Sequence, residues 1–379
     1  MLLIEADGKA LFAAHGIPVP DGLVVTDADA MSPLAPGPWV VKAQVPVGGR
    51  GKAGGIVLCP TAADVDAAVR RLLGGRLKGH AIEACLVEQA TQGEERYLSV
   101  MVDPASYGLR VIYATQGGIE IEHQGAAQSR LCAAHPGAVA DALSELIVSE
   151  PDNWRNAVAA IGRRLATLVI ERELALAEVN PLFVSEAGCV AGDAKVIVDL
   201  NAIDRQPGIA AAIQARPLIY ADANRKLAEG FDYVELDPCG EIGLVTTGAG
   251  LSMMLIDELT ARGAKPVNFC DVRTGQMRGS PVRLMRVLEW ITSRKSLKAV
   301  LVNIFAGITD LAEFAALLAT AIERTEGMTV PVVARLVGRN AAEARRILAE
   351  RQPGMLVTED LEEALRHIEA IVAAGGPAR

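Results

Sequence analysis

Aromatic residues make up only 4% of this 379-residue chain, and positive charge is in deficit, with 37 Lys and Arg against 46 Asp and Glu and a formal net charge of −9. A nucleic-acid binder would present a basic face, so that class is excluded. Any anionic ligand must instead meet a local basic pocket. The six cysteines (Cys59, Cys85, Cys132, Cys189, Cys239, Cys270) include no Cys-x-x-Cys pair, and they are expected to be reduced, mostly buried thiols of a cytoplasmic protein. No apolar run reaches the length of a membrane span. The opening MLLIEADGKALFAAHG lacks the basic start and long apolar stretch of a signal peptide. There is no low-complexity segment and no short repeat. What remains is 51% hydrophobic residues, nearly all aliphatic. That composition suits an α/β interior, and the length calls for two or three domains.

Apolar spacing predicts an opening helix with Leu3, Ala6, Ala10, Leu11 and Ala14 on one face, ending at Gly16. Leu23–Val25 reads as a strand. A helix over 61–73 is expected with Thr61 as N-cap and Val65, Ala68, Val69 and Leu72 inward. Strands are expected over 84–88, 97–103 and 110–115. A long helix follows over 154–173, with Val158, Ile161, Leu165 and Leu168 on one face. Further strands are expected over 175–179, ending at Asn180-Pro181, and within 189–198. A polar connector over 232–240 marks a boundary. Beyond it, strands at 242–246, 266–269, 299–303, 330–334 and 355–357 alternate with helices over 251–263, 281–294, 310–326, 340–350 and 359–374. Five such units predict a doubly wound parallel sheet.

One loop stands out chemically. After Trp39-Val40-Val41-Lys42 comes Gly48-Gly49-Arg50-Gly51-Lys52-Ala53-Gly54-Gly55. Glycines let backbone N–H groups approach phosphate oxygens, while Arg and Lys neutralise them. The loop is neither a Walker loop nor a dinucleotide fingerprint, since no helix starts after it. Ile56-Val57-Leu58 make it a hairpin folding over a nucleotide; a plain tight turn is the alternative. Lys42 and Arg50 are the expected phosphate cations. Glu178, Asn180 and Asp193 offer oxygen ligands from adjacent strands, suited to Mg²⁺ bridging phosphates; the alternative is a simple strand exit. Thr247-Gly248-Ala249-Gly250 ends a strand and opens a helix, a place where N–H groups bind carboxylate or phosphate. The segment from Asn303 to Thr309 is read the same way.

Six ordered blocks carry a family resemblance: WVVKAQVPVGGRGKAGG from Trp39, LVEQATQGEERYLSVMVD from Leu86, LALAEVNPLFV from Leu174, GDAK from Gly192, TGAGLSMMLID from Thr247 and AVLVNIFAGI from Ala299. Together the chain resembles, over nearly its whole length, the β subunit of ADP-forming succinate–CoA and malate–CoA ligases. The resemblance implies an α/β chain with an ATP-grasp fold (α+β) over 1–230, including a small nucleotide-covering subdomain over 21–93. A flavodoxin-like doubly wound parallel sheet of CoA-ligase type is implied over 241–379. It implies ATP contacts at Lys42, Gly49, Arg50, Gly51, Glu88, Thr91 and Glu95. The last match needs a one-residue gap and leaves Glu94 as the alternative, and a solvated strand end is the alternative for all three glutamates. Asn180 and Asp193 match Mg²⁺ ligands, and Glu178 matches a glutamate that handles a phosphorylated histidine of the partner. Contacts to a small carboxylic acid are implied at Thr247, Gly307, Ile308 and Thr309. The implied partner is an α subunit carrying the CoA-binding domain and the phosphohistidine, so CoA is expected mainly there. None of this chain's own histidines (His15, His80, His123, His135, His367) lies in such a loop. No nucleic-acid or membrane partner is expected.

The chain departs from the family in the acid loops. Thr247 stands where succinate–CoA ligases have asparagine, and Arg273-Thr274-Gly275-Gln276 replaces a Gly-rich loop. Ala306-Gly307-Ile308-Thr309-Asp310-Leu311 lacks the family's basic residue, for which Arg273 is the candidate substitute. The ATP half is kept better, which favours a di- or hydroxy-acid other than succinate. The alternative readings are a non-catalytic nucleotide-sensing or scaffold subunit, or a ligase with a non-CoA acceptor.

Overall fold

A computed structural model describes residues 1–31, 36–118, 127–277 and 279–375, which fall into two units, Met1–Ala221 and Asp222–Arg379. His123 lies outside the described residues.

In the first unit, Trp39–Ala43 pairs antiparallel with Ile56–Cys59, so the glycine-rich segment is a hairpin connection. Cys85–Gln89 and then Gly22–Val25 complete a four-stranded sheet. Inward residues Val41, Val87 and Cys59 pack against the helix Ala62–Leu72, whose Val65, Ala68, Val69 and Leu72 are buried. Thr61 caps that helix in a reciprocal capping box with Asp64. A second, six-stranded sheet is built on Leu174–Ser185 and Glu94–Asp103, with Gly108–Ala114 and Gln128–Cys132 beyond them. Gly188–Ala191 and Lys195–Val198 both pair with Leu174–Ser185. The long helix Asp152–Glu171 buries Val158, Ile161, Leu165 and Leu168.

Three expectations in this unit are corrected. The strand does not end at Asn180-Pro181; it runs through a cis peptide bond and a register shift to Ser185. The region 189–198 holds two short strands rather than one. The first helix is Glu5–Ala14, and it buries Glu5, Gly8, Lys9 and Phe12 instead of the alanine face. Charge sits inside there because it is paired, as described below.

In the second unit, Ile242–Thr246, Ala299–Ala306, Val332–Gly338 and Leu356–Thr358 form a parallel sheet in that order. Successive residues face opposite layers. Leu244, Leu301 and Val333 pack with Leu255, Leu259, Leu365 and Ile368 of the helices Ala249–Ala261 and Leu361–Ala373. Val245, Val302 and Ala334 pack on the other side with Leu288, Leu318 and Leu348 of the helices Val282–Thr292, Leu311–Arg324 and Ala341–Arg351. The second expected strand, 266–269, is displaced: Asn268–Asp271 pairs antiparallel with Asp232–Glu235, the stretch expected to be a connector. It still runs beside Ile242–Thr246. There the Asn268 side chain stands in for a ladder partner, accepting from Leu244 N–H and donating to Leu244 C=O, both at 2.9 Å.

Among the described residues no helix is long and apolar enough to cross a membrane. Cys59, Cys85, Cys189 and Cys270 are buried, and no cysteine forms a disulfide. Burial pushes the Cys85 thiol up to about 11.

Candidate functional site

The two sheets of the first unit border a cavity of about 750 Å³. Lys42, Gly49, Arg50, Gly51, Glu88 and Thr91 line it from one side, and Glu178, Asn180 and Asp193 from the other. Residues separated by up to 151 positions are thereby brought to one place. Glu95 is exposed and is not among the lining residues. Strand alternation separates it from its alternative, however. Glu94 reaches Arg96, which is tied to the buried Glu150, whereas Glu95 shares its face with the cavity-lining Tyr97.

The glycine-rich loop is folded on itself. N–H groups of Ala53 and Gly55 donate to Arg50 C=O, and Gly54 N–H donates to Gly51 C=O. Gly49 has φ of +69°, a conformation glycine adopts without strain, and the Lys78 ammonium sits 2.7 Å from Gly48 C=O. Arg50 is turned inward and only 8% exposed.

Beneath the cavity lies a paired charge cluster. The Glu5 carboxylate accepts from Lys42 at 2.7 Å and from Lys9 at 2.9 Å on Oε1, and from Arg50 at 2.6 Å on Oε2. Glu88 holds the same two ammonium groups, Lys9 at 2.5 Å and Lys42 at 2.6 Å. Both lysines also donate to Gly192 C=O, at 2.9 and 2.7 Å. Arg50 reaches Asp193 at 3.1 Å. Three cations and three carboxylates balance. Burial opposes ionisation of Glu5, but Lys42, Lys9 and Arg50 overcome it and hold the carboxyl well below the usual range. Burial likewise opposes the charge on Lys42, yet Glu5 and Glu88 raise its ammonium above the ordinary lysine value. Asp193 goes the other way: burial and the Glu5 charge push it up to about 6, with Arg50 only partly offsetting them.

Sequence reasoning did not find Glu5 and Lys9. Their signal was an i, i+4 pair of opposite charge on the face of Phe12. Nor is Glu88 a solvated strand end, being 2% exposed and bound to two lysines. Tyr97, Lys78 and Lys195 also line the cavity and were missed.

On the far wall, Asn180 and Gly118 exchange two hydrogen bonds, Gly118 N–H to Oδ1 at 2.7 Å and Nδ2–H to Gly118 C=O at 3.1 Å. Asp193 Oδ1 accepts from its neighbour Ala194 N–H. Among the described residues no three His, Cys, Asp or Glu side chains are placed to hold an ion by themselves. A hard cation here would have to complete its shell with phosphate oxygens or water, which fits Mg²⁺ carried by a nucleotide.

In the second unit, Thr247, Gly307, Ile308 and Thr309 stand at the ends of parallel strands, the usual position of ligands in such sheets. Thr309 Oγ1 is 2.8 Å from Thr274 Oγ1, which is 3.5 Å from Thr247 Oγ1. Thr274 was not singled out from sequence. Gly248 opens its helix at φ +85°, and its N–H donates to Asp271 at 2.9 Å. The helix after Thr309 is capped by Asp310, which accepts from Ala312 and Glu313 N–H, so those donors are engaged. Ile308 is 93% exposed. Arg273, the candidate substitute cation, is paired with Asp232 at 2.7 Å.

Residues 2–184 match the ATP-grasp domain family and residues 245–371 the CoA-ligase family. Among curated relatives, the chain is 35% identical over 401 residues to the succinate–CoA ligase [ADP-forming] subunit beta of Thioalkalivibrio sulfidiphilus, covering 98% of this chain and all of that one. It is 36% identical over 381 residues to the subunit of the same name from Chloroflexus aurantiacus, covering 96% and 98%. Among solved structures, ATP citrate lyase from Methanothrix soehngenii, in complex with citrate and coenzyme A, superposes with a TM-score of 0.71 at 16% identity, covering 98% of this chain and 99% of that one. That likeness is one of fold.

Proposed function

Because the chain belongs to the family of β subunits of ADP-forming succinate–CoA ligases, we propose that its first unit binds Mg-ATP and passes the γ-phosphoryl group to a histidine of an α subunit. The observation that carries this reading is the convergence of Lys42, Arg50, Glu178, Asn180 and Asp193 on one cavity. Lys42 and Arg50 face the triphosphate, where low solvent access makes each charge count for more than in water. Gly49 and Gly51 let the loop backbone close on the phosphates, and Glu88, Thr91 and Glu95 border the base and ribose. Asn180 and Asp193 would hold Mg²⁺, which would supply positive charge to offset that of the phosphates. Glu178 orients the incoming imidazole and takes up its proton as the N–P bond forms and ADP leaves.

The second unit presents a small di- or hydroxy-carboxylate at Thr247, Gly307, Ile308 and Thr309. A carboxylate oxygen takes the phosphoryl group from the histidine, giving an acyl phosphate. The thiolate of CoA, bound mainly on the α subunit, then attacks the acyl carbon and phosphate departs. Relay through a histidine divides one hard condensation into easier steps.

The test is to mix the chain with its α partner and γ-labelled ATP without acid or CoA. Label on a partner histidine, stoichiometric with ADP, is expected. ATP binding with no transferred label would make the chain a sensing or scaffold subunit. If histidine labelling is followed, once acid is added, by acyl transfer to an amine rather than to CoA, the chain is a ligase with another acceptor.

A further inference from the structure

The cluster beneath the cavity is arranged around one side chain that no part of the proposed reaction uses. Glu5 has no exposed side-chain surface, and its two oxygens take three cations. We propose that Glu5 is a positioning residue for the nucleotide phosphates, fixing the Lys42 ammonium and the Arg50 guanidinium relative to each other while Lys9 serves as the resident counter-ion. This rests on the reading of the cavity as the nucleotide site.

Lys42 and Arg50 come from different segments, a strand and the glycine-rich loop. Long cationic side chains have many rotamers, and one carboxylate that binds both removes that freedom before the ligand arrives. The carboxylate is itself held by the first turn of the helix Glu5–Ala14. When Lys42 and Arg50 share their charge with phosphate oxygens, Glu5 and Glu88 would lose compensation, which is costly for buried carboxylates. Lys9 prevents this. It touches both carboxylates, is 5% exposed and is not among the cavity-lining residues, so it stays behind. Glu5 and Lys9 thus form a fixed pair under two working cations.

The test uses the full chain and two ligands, Mg-ATP by calorimetry and AMP by ligand-observed NMR, which reads weak binding. Glu5→Gln alone leaves excess buried positive charge and can fail to fold. The charge-balanced Glu5→Gln/Lys9→Met variant keeps Lys42 with Glu88 and Arg50 with Asp193. In that variant ATP affinity should fall about ten- to hundredfold, the size of a misplaced charge-assisted hydrogen bond. AMP, lacking β and γ phosphates, should bind as before, with the melting temperature little changed. Unchanged ATP affinity, or equal losses for ATP and AMP, overturns the proposal, since a purely structural role would move both. Lys42→Ala in the same titration separates the two readings. If that variant also binds ATP normally, the nucleotide-site reading fails. If it is weakened while the double variant is not, only the role of Glu5 fails.

Discussion

The Tyr97 hydroxyl donates to Oε2 of Glu178 at 3.1 Å. The Lys195 ammonium lies 3.3 Å from the same oxygen. Glu178 is therefore oriented by two neighbours on the cavity wall, while Asp193, on the same wall, is tied to Arg50. The two carboxylates sit in separate networks and should fail separately. Glu178→Gln should leave Mg-ATP affinity nearly intact and slow phosphorylation of the partner about a hundredfold or more. Asp193→Asn should raise the Mg²⁺ concentration needed for nucleotide binding, since the metal loses a charged ligand. Titration with ATP and single-turnover labelling check both, and identical defects would mean the roles are mis-sorted.

Lys42→Ala removes a cavity cation and also leaves Glu5 and Glu88 with less compensation. Binding of Mg-ATP should weaken about ten- to hundredfold. Calorimetry on the isolated chain is sufficient, because every expected phosphate contact lies within the first unit.

Acid should erode the Glu5 contribution in a defined direction. Its carboxyl is held below the ordinary value of 4.5 in the folded state, so its stabilisation is complete above pH 4.5 and is lost as pH falls from there toward the folded-state value. Asp193, raised to about 6, has the opposite sign, because its ionisation costs stability as pH rises from 3.8 to 6. The comparison is therefore made in an Asp193→Asn/Lys9→Met background, in which Lys42 and Arg50 balance Glu5 and Glu88. There, Glu5→Gln should lower unfolding free energy by about 3–5 kcal/mol at pH 7. The gap should narrow by about 1.4 kcal/mol per pH unit below 4.5. Urea unfolding followed by Trp39 and Trp154 fluorescence measures it. A gap independent of pH from 7 to 3 would show that Glu5 is not the titrating group.

The candidate site residues were legible where motif and local pattern agreed. Lys42 precedes a glycine hairpin, and Glu178 and Asn180, within the strand Leu174–Ser185, come before Asp193, between two short strands, in a recognisable order. Glu5 and Lys9 were hidden by the usual assumption that a helix buries its apolar stripe. Here the buried stripe is charged because partners 37 to 79 positions away neutralise it. The strand Asp232–Glu235 was hidden for a related reason. It has little apolar patterning, and its place is set by pairing with Asn268–Asp271. Thr274 carries no motif, and only the approach of the loop to Thr309 reveals it.

A prediction of substrate choice rests on that hydroxyl row. Thr247, Thr274 and Thr309 line up at 3.5 and 2.8 Å, and Thr274 is 8% exposed. Gly307 leaves open space where a side chain would stand, which suits a carboxylate against the backbone. Arg273 is paired with Asp232, so we expect the second half of the acid to meet hydroxyls rather than this guanidinium. A hydroxyl or other polar substituent can exchange hydrogen bonds with that row. The bare methylenes of succinate cannot, and a site that hydrogen-bonds a substituent of its acid discriminates against the acid that lacks it. The relatives named for succinate share only about a third of the sequence, and the resemblance puts asparagine where this chain has Thr247. Succinate should therefore be a poor substrate of the assembled pair, about tenfold or more below the best hydroxy- or substituted acid in kcat/KM. Thr274→Val should narrow that difference by removing the central hydroxyl, and Thr247→Asn should shift preference partly toward succinate. A kinetic screen of dicarboxylic, hydroxy and sulfonated acids decides the matter. If wild-type turnover of succinate exceeds that of every substituted acid, the hydroxyl row does not read the substrate.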